Sequence, residues 1–218
     1  MNYRQEPFPE AIVALMLRLR EFGIVDPQYL KIVESVPHEQ FVPVQHFEQA
    51  WKPQVLPIAC GQTMVPIDAT VRMVDALNLD QNHAVLEIGT GTGFQTALLA
   101  KLARKVYSVD RYQSLLDDAK ERLDRLGIGN VTLAQADGAS SLVGQGLYDR
   151  IITDLAYETI PRYLLEQLVT GGIVVTAIGE PFGEQTVVRL TKVGSRFERE
   201  DLFPVRFGRF ESGIARVL

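Results

Sequence analysis

Val85-Leu-Glu-Ile-Gly-Thr-Gly-Thr-Gly-Phe-Gln95 is the stretch that decides the fold. A short apolar strand runs into three alternating glycines, Gly89, Gly91 and Gly93, and a helical pattern follows at once. Glycine permits so tight a turn because it has no Cβ, and it lets a ligand lie against bare backbone. Glu87 stands near the strand end. Phosphate-binding loops avoid a carboxylate there, whereas a cationic ligand favours one. A dinucleotide fingerprint begun at Gly89 would need glycine at position 94, which is Phe94, and no Lys-Ser or Lys-Thr follows as in a P-loop. Taken alone, the loop also fits a tight strand-to-helix turn with no ligand at all.

Outward from this loop the chain alternates. Strands are expected at Ala84–Ile88, Lys105–Asp110, Val131–Gln135, Arg150–Asp154 and Ile173–Ile178. Helices between them start near Gly93, Gln113 and Ile160, and the second carries Leu115, Leu116, Ala119, Leu123 and Leu126 on one face before Gly127. This alternation predicts an α/β fold with a doubly wound, mainly parallel sheet. After Gly179 the pattern gives only strands, at Thr186–Lys192, Phe197–Phe207 and Gly213–Leu218, expected as antiparallel strands at one edge.

Upstream, Pro9–Phe22 reads as an amphipathic helix, and Asp26 caps a second that begins with Pro27 and runs to Ser35. Residues 37–66 hold five prolines and read as a long, functional loop, followed by a helix over Asp68–Leu77. Residues 1–80 are thus expected to form a helical and loop extension within the same domain as a core over residues 81–218.

Composition narrows the function. The 218 residues are 46% hydrophobic with net charge −5, which gives no general attraction to nucleic acid. Cys60 is the single cysteine, and His38, His46 and His83 are scattered, so neither a disulfide nor a zinc site is expected. Residues 1–10 lack the apolar segment of a signal peptide, and no apolar run is long enough for a membrane span, so a cytoplasmic location is expected.

In an open parallel sheet, ligands bind beyond the carboxyl ends of the strands where the strand order reverses. Four acids stand at or just past successive strand ends: Glu87, Asp110, Asp137 and Asp154. Asp110 is placed to accept from ribose hydroxyls and Asp137-Gly138 to meet an adenine amino group. Ringing a ligand with acids suits S-adenosylmethionine, with its positive charges, better than NAD.

The chain resembles the protein-L-isoaspartate O-methyltransferase family. The resemblance rests on G-I-V-D at Gly23–Asp26, F-V-P at Phe41–Pro43, L-P-I at Leu56–Ile58, G-Q-T at Gly61–Thr63, the glycine loop through Ala97, D-G at Asp137, L-L-E-Q-L at Leu164–Leu168 and P-V-R-F at Pro204–Phe207. It implies a Rossmann-like class I methyltransferase fold and methyl transfer from S-adenosylmethionine to the α-carboxyl of isoaspartyl residues in aged proteins, whose ester then collapses to a succinimide. The cofactor set it implies is Gln62, Thr63, Met64, Glu87, Gly89, Thr90, Gly91, Thr92, Gly93, Asp110, Arg111, Asp137, Gly138 and Asp154. Thr63, Val65 and Asp154 stand at the acceptor side. Val65 occupies the position of the family's active-site serine and cannot donate a hydrogen bond. The partners implied are proteins or peptides bearing isoaspartyl residues, with no metal, membrane or nucleic acid. Two alternatives stay open: another acceptor, such as an amine met by Asp154 and Tyr157, or cofactor binding without turnover.

Overall fold

The computed structural model describes residues 9–139, 146–180 and 183–215. In chain order its elements are α1 (Pro9–Glu21), α2 (Pro27–Ser35), β1 (Leu56–Pro57), β2 (Thr63–Met64), α3 (Ile67–Ala76), β3 (Ala84–Ile88), α4 (Phe94–Leu102), β4 (Lys105–Asp110), α5 (Gln113–Arg125), β5 (Val131–Gln135), β6 (Tyr148–Tyr157), α6 (Arg162–Glu166), β7 (Leu168–Gly179), β8 (Gln185–Val193) and β9 (Arg196–Val205).

The sheet has seven strands in the order β5-β4-β3-β6-β7-β8-β9. From β5 to β7 every neighbouring pair is parallel, while β8 and β9 return antiparallel. Strand order reverses between β3 and β6, so the glycine loop after β3 and the end of β6 flank one crevice. Helix α5 buries Leu115, Leu116, Ala119 and Leu123 on its inner face. Ile128 N–H then reaches back to the Leu123 carbonyl and closes the helix. Helix α4 buries every residue from Phe94 to Ala100 and leaves Lys101 exposed near its end.

The N-terminal helices are tied on by polar clasps over apolar contact. Leu15 and Leu19 of α1 are fully buried. Arg18 on the same helix grips both carboxylate oxygens of Asp68 in α3, at 2.9 and 3.1 Å, and donates to the Trp51 carbonyl at 3.0 Å. Asp26 caps α2 through Gln28 N–H at 2.9 Å. Within residues 37–66 two short 3₁₀ turns lead into the β1–β2 hairpin, which pairs Leu56 with Met64 and Pro57 with Thr63.

Three expectations need correction. Strand β6 runs on to Tyr157, because its pairing with β7 shifts between Ile152 and Ala156 and resumes beyond the shift. Helix α6 starts at Arg162 rather than Ile160, since Pro161 holds the preceding chain extended. The last expected strand does not form over residues 213–215, and residues 216–218 lie outside the described residues. In its place Gly208–Phe210 adds a single parallel bridge to Ala156.

Candidate active site

The glycine loop is fixed to its neighbours before any ligand arrives. Gly89 N–H donates to the Val109 carbonyl at 2.8 Å, and Gly91 N–H donates to Asp110 Oδ2 at 2.9 Å. Gly89 has φ +95°, and a Cβ there would lie 3.3 Å from Asp154 Oδ1, so the position excludes a side chain on two grounds. Gly93 lets the loop press on α5, where a Cβ would lie 3.1 Å from Ala119 Cβ.

Glu87 departs from its expected role. It is fully buried, and α4 and β4 supply its partners: Thr96 Oγ1 and Ser108 Oγ each donate at 2.5 Å, and Gln95 Nε2 donates at 3.0 Å. Thr90 of the loop bonds Ser108 Oγ at 2.6 Å. Glu87 therefore braces the loop from beneath and does not reach the cavity wall. Removal from water pushes its carboxyl up to about 7, against the three hydrogen bonds that favour the charged form.

Asp110 does stand where expected. It ends β4, accepts from Gly91 N–H and, at 3.0 Å, from Tyr112 N–H. Each carboxylate oxygen keeps a further lone-pair site, so the group can still receive two hydroxyls. Burial raises its pKa, while the surrounding backbone N–H groups lower it. Asp154, in the irregular stretch of β6, faces the same space. Burial first, and the charge of Asp110 second, lift its carboxyl to about 7. Asp137 Oδ1 accepts from Ala139 N–H at 2.9 Å and stays off the main cavity wall, which Gly138 joins instead.

These residues enclose a cavity of about 1070 Å³. Its floor is the loop from Gly89 to Thr92, and one end is Asp110, Arg111 and Tyr112. Gln62, Thr63 and Met64 of the hairpin, with Val65 just after it, form the roof, and Asp154 with Leu155 lies beside Gly89. Gln62 Nε2 donates to Tyr112 OH at 3.3 Å, joining roof to rim. Val65 is buried and presents only methyl groups. Of the expected set, Glu87, Gly93 and Asp137 fall outside the lining, and the others stand on it.

The sequence reading missed one wall, the segment Gly208–Ser212. Gly208 O accepts from Ala156 N–H at 2.8 Å, and Phe210 N–H donates to Ala156 O at 3.1 Å. The G-R-F-E-S run just past the last strand pattern was the available signal, a turn of mixed charge with an aromatic at its centre. Phe210 stacks on Tyr157 with ring centroids 5.1 Å apart. Tyr157 and Phe210 also line a smaller recess of about 190 Å³ beside the cavity. Arg111 is ion-paired with Glu211.

Other candidates take structural roles. Phe94 lines the cavity but also packs edge-on to His38 and Phe41 in the core. Trp51 is buried against His38, with its carbonyl held by Arg18. His38 lies among aromatic rings, and burial lowers its pKa to about 3, so it stays neutral. Among the described residues no group of three or more His, Cys, Asp or Glu is placed to hold a metal ion, and no helix is long and apolar enough to cross a membrane.

Comparison with known proteins gives one consistent result. A profile of the family described as protein-L-isoaspartate(D-aspartate) O-methyltransferase matches residues 11–212. The protein-L-isoaspartate O-methyltransferase of Bradyrhizobium sp. (strain BTAi1) is 40% identical over 210 residues, covering 96% of this chain and 98% of that protein. The enzyme of the same name from Rhizobium meliloti (strain 1021) is 39% identical over 189 residues, 87% of this chain and 93% of that one. A Plasmodium falciparum chain solved with S-adenosyl-L-homocysteine, and described as a protein-L-isoaspartate O-methyltransferase, superposes with a TM-score of 0.76 at 19% identity, over 92% of this chain and 98% of the other. The last of these concerns the fold alone.

Proposed function

This chain belongs to the protein-L-isoaspartate(D-aspartate) O-methyltransferase family, and on that premise we propose how its own residues carry out the reaction. It is a methyltransferase that takes S-adenosylmethionine and methylates the carboxyl of L-isoaspartyl residues in damaged proteins. The observation that carries this reading is the family match along nearly the whole chain, including the hairpin and loop segments outside the glycine motif.

The cavity suits the donor. Its bare glycine floor allows close backbone approach, Asp110 has acceptor capacity left for a ribose, and Asp154 beside Gly89, lifted to about 7, is poised to ionise next to a cation. When bound, the donor supplies a methyl group on a cationic sulfur. Gly89–Thr92 and Asp110 would hold the sugar, with Gly138 and Asp154 lining the same cavity. Met64 and Val65, both buried, would shield the bound donor from water. The acceptor is a carboxylate, already a nucleophile at neutral pH, so no side chain need remove a proton. Catalysis is then positioning together with partial desolvation of the carboxylate under the apolar roof. We further propose a cytoplasmic protein, in keeping with its one free cysteine.

The test is incubation with an isoaspartyl peptide and methyl-labelled donor. Base-labile label on that peptide, and none on its normal aspartyl counterpart, is expected. If no labelled ester forms at high enzyme concentration, the reading fails.

A further inference from the structure

The acceptor side of the cavity poses an electrostatic problem. A carboxylate entering it meets Asp154, whose ionised form repels it, and Val65, which donates nothing. The cavity walls carry two cations, Arg111 and Arg209. Arg111 stands next to Asp110 and is already ion-paired with Glu211. The Arg209 side chain has no hydrogen bond or ion pair with any described residue.

Arg209 is nonetheless firmly mounted. Its two neighbours bond to Ala156, two residues past Asp154, through Ala156 N–H to Gly208 O and Phe210 N–H to Ala156 O. The stack of Phe210 on Tyr157 fixes the same turn from the other side. Arg209 is exposed and borders both the main cavity and the 190 Å³ recess. A guanidinium there offers a planar fork that matches a carboxylate with two parallel hydrogen bonds.

We propose that Arg209 binds the acceptor carboxylate at the mouth of the cavity and so selects a carboxylate over a neutral acceptor. The proposal rests on the methyltransferase reading above. It assigns Arg209 to substrate binding and leaves donor binding to the glycine loop and Asp110.

The test is equilibrium binding to the protein loaded with S-adenosylhomocysteine. The ligands are an isoaspartyl peptide and the same peptide with its α-carboxyl converted to an amide. The unaltered protein is expected to favour the carboxylate by about ten-fold or more, the order of one charged hydrogen-bonded pair. Arg209→Met is expected to bind both peptides alike, and Arg209→Lys to recover part of the preference. Affinity for S-adenosylhomocysteine should stay within about two-fold in both variants, which separates loss of the acceptor contact from misfolding. No preference in the unaltered protein, or an undiminished preference in Arg209→Met, overturns the proposal. Failure of the wider reading shows separately, as absence of labelled ester with the unaltered protein while the binding preference persists.

Discussion

Glu87→Gln isolates the buried acid beneath the glycine loop. In the native protein the carboxyl is fully buried and titrates at about 7, against 4.5 for an unperturbed glutamate. The folded state therefore holds a proton over a range in which the unfolded chain has released it. Stability must fall as pH rises from the unfolded value towards the folded one, and level off above it. At 1.36 kcal/mol per pH unit the whole penalty is about 3 kcal/mol. Between about pH 5.5 and about pH 8, roughly 2 kcal/mol of it should develop.

Glutamine matches the shape and cannot ionise. Its oxygen can still accept from Thr96 and Ser108, and its amide can donate to Gln95 Oε1, which has no partner among the described residues, once the Gln95 amide turns over. Urea unfolding, followed by fluorescence of Trp51, the sole and buried tryptophan, reads both proteins at the two pH values. Asp154 titrates in the same window but is common to both, so the quantity that matters is their difference. That difference should move by about 2 kcal/mol towards Glu87→Gln on going from acid to base. Parallel pH profiles for the two proteins would refute the argument, because they would mean that Glu87 ionises no differently in the folded and unfolded chains.

Two further substitutions separate the cofactor cradle from the scaffold. Asp110→Ala removes the acceptor for Gly91 and Tyr112 N–H. Calorimetry should find S-adenosylhomocysteine bound at least about 100-fold more weakly, with a stability loss of about 1–2 kcal/mol from the two orphaned donors. Asp68→Ala breaks the two-pronged clasp between α1 and α3, whose partners are mostly shielded from water. It should cost about 1–2 kcal/mol in denaturant titrations and leave affinity for S-adenosylhomocysteine unchanged.

The donor half of the site was legible because consecutive residues build it. Strands β3, β4 and β5 and the start of α5 stand at the expected residues, since short apolar runs bounded by glycine, aspartate and asparagine specify them locally. The four acids looked alike in sequence, yet their fates differ with how far each lies from cover. Glu87 is one residue short of the end of β3, where α4 and Ser108 close over it. Asp110 is the last residue of β4 and stays open to the crevice, while Asp137 lies two residues past β5 and turns back onto Ala139. How deeply a helix covers a strand end is a property of tertiary packing, and no local pattern carries it.

The acceptor half depends on contacts between segments far apart in the chain. Asp154 reaches the crevice through the shift in the pairing of β6 with β7. Val65 directly follows a hairpin whose strands are two residues long. The Gly208–Ser212 wall is set by the long return through β8 and β9, with Gln185 accepting from Phe207 N–H at 2.7 Å to turn the chain inward. A one-residue change in any of these registers would move a charge by a side chain's length, because alternate strand residues face opposite sides. Donor binding needs only the strand-turn-helix around Gly89. The acceptor side needs the β6–β7 shift, the hairpin before Val65 and the return through β8 and β9 brought into register together, so the donor cradle can stay unchanged while the groups beside it vary.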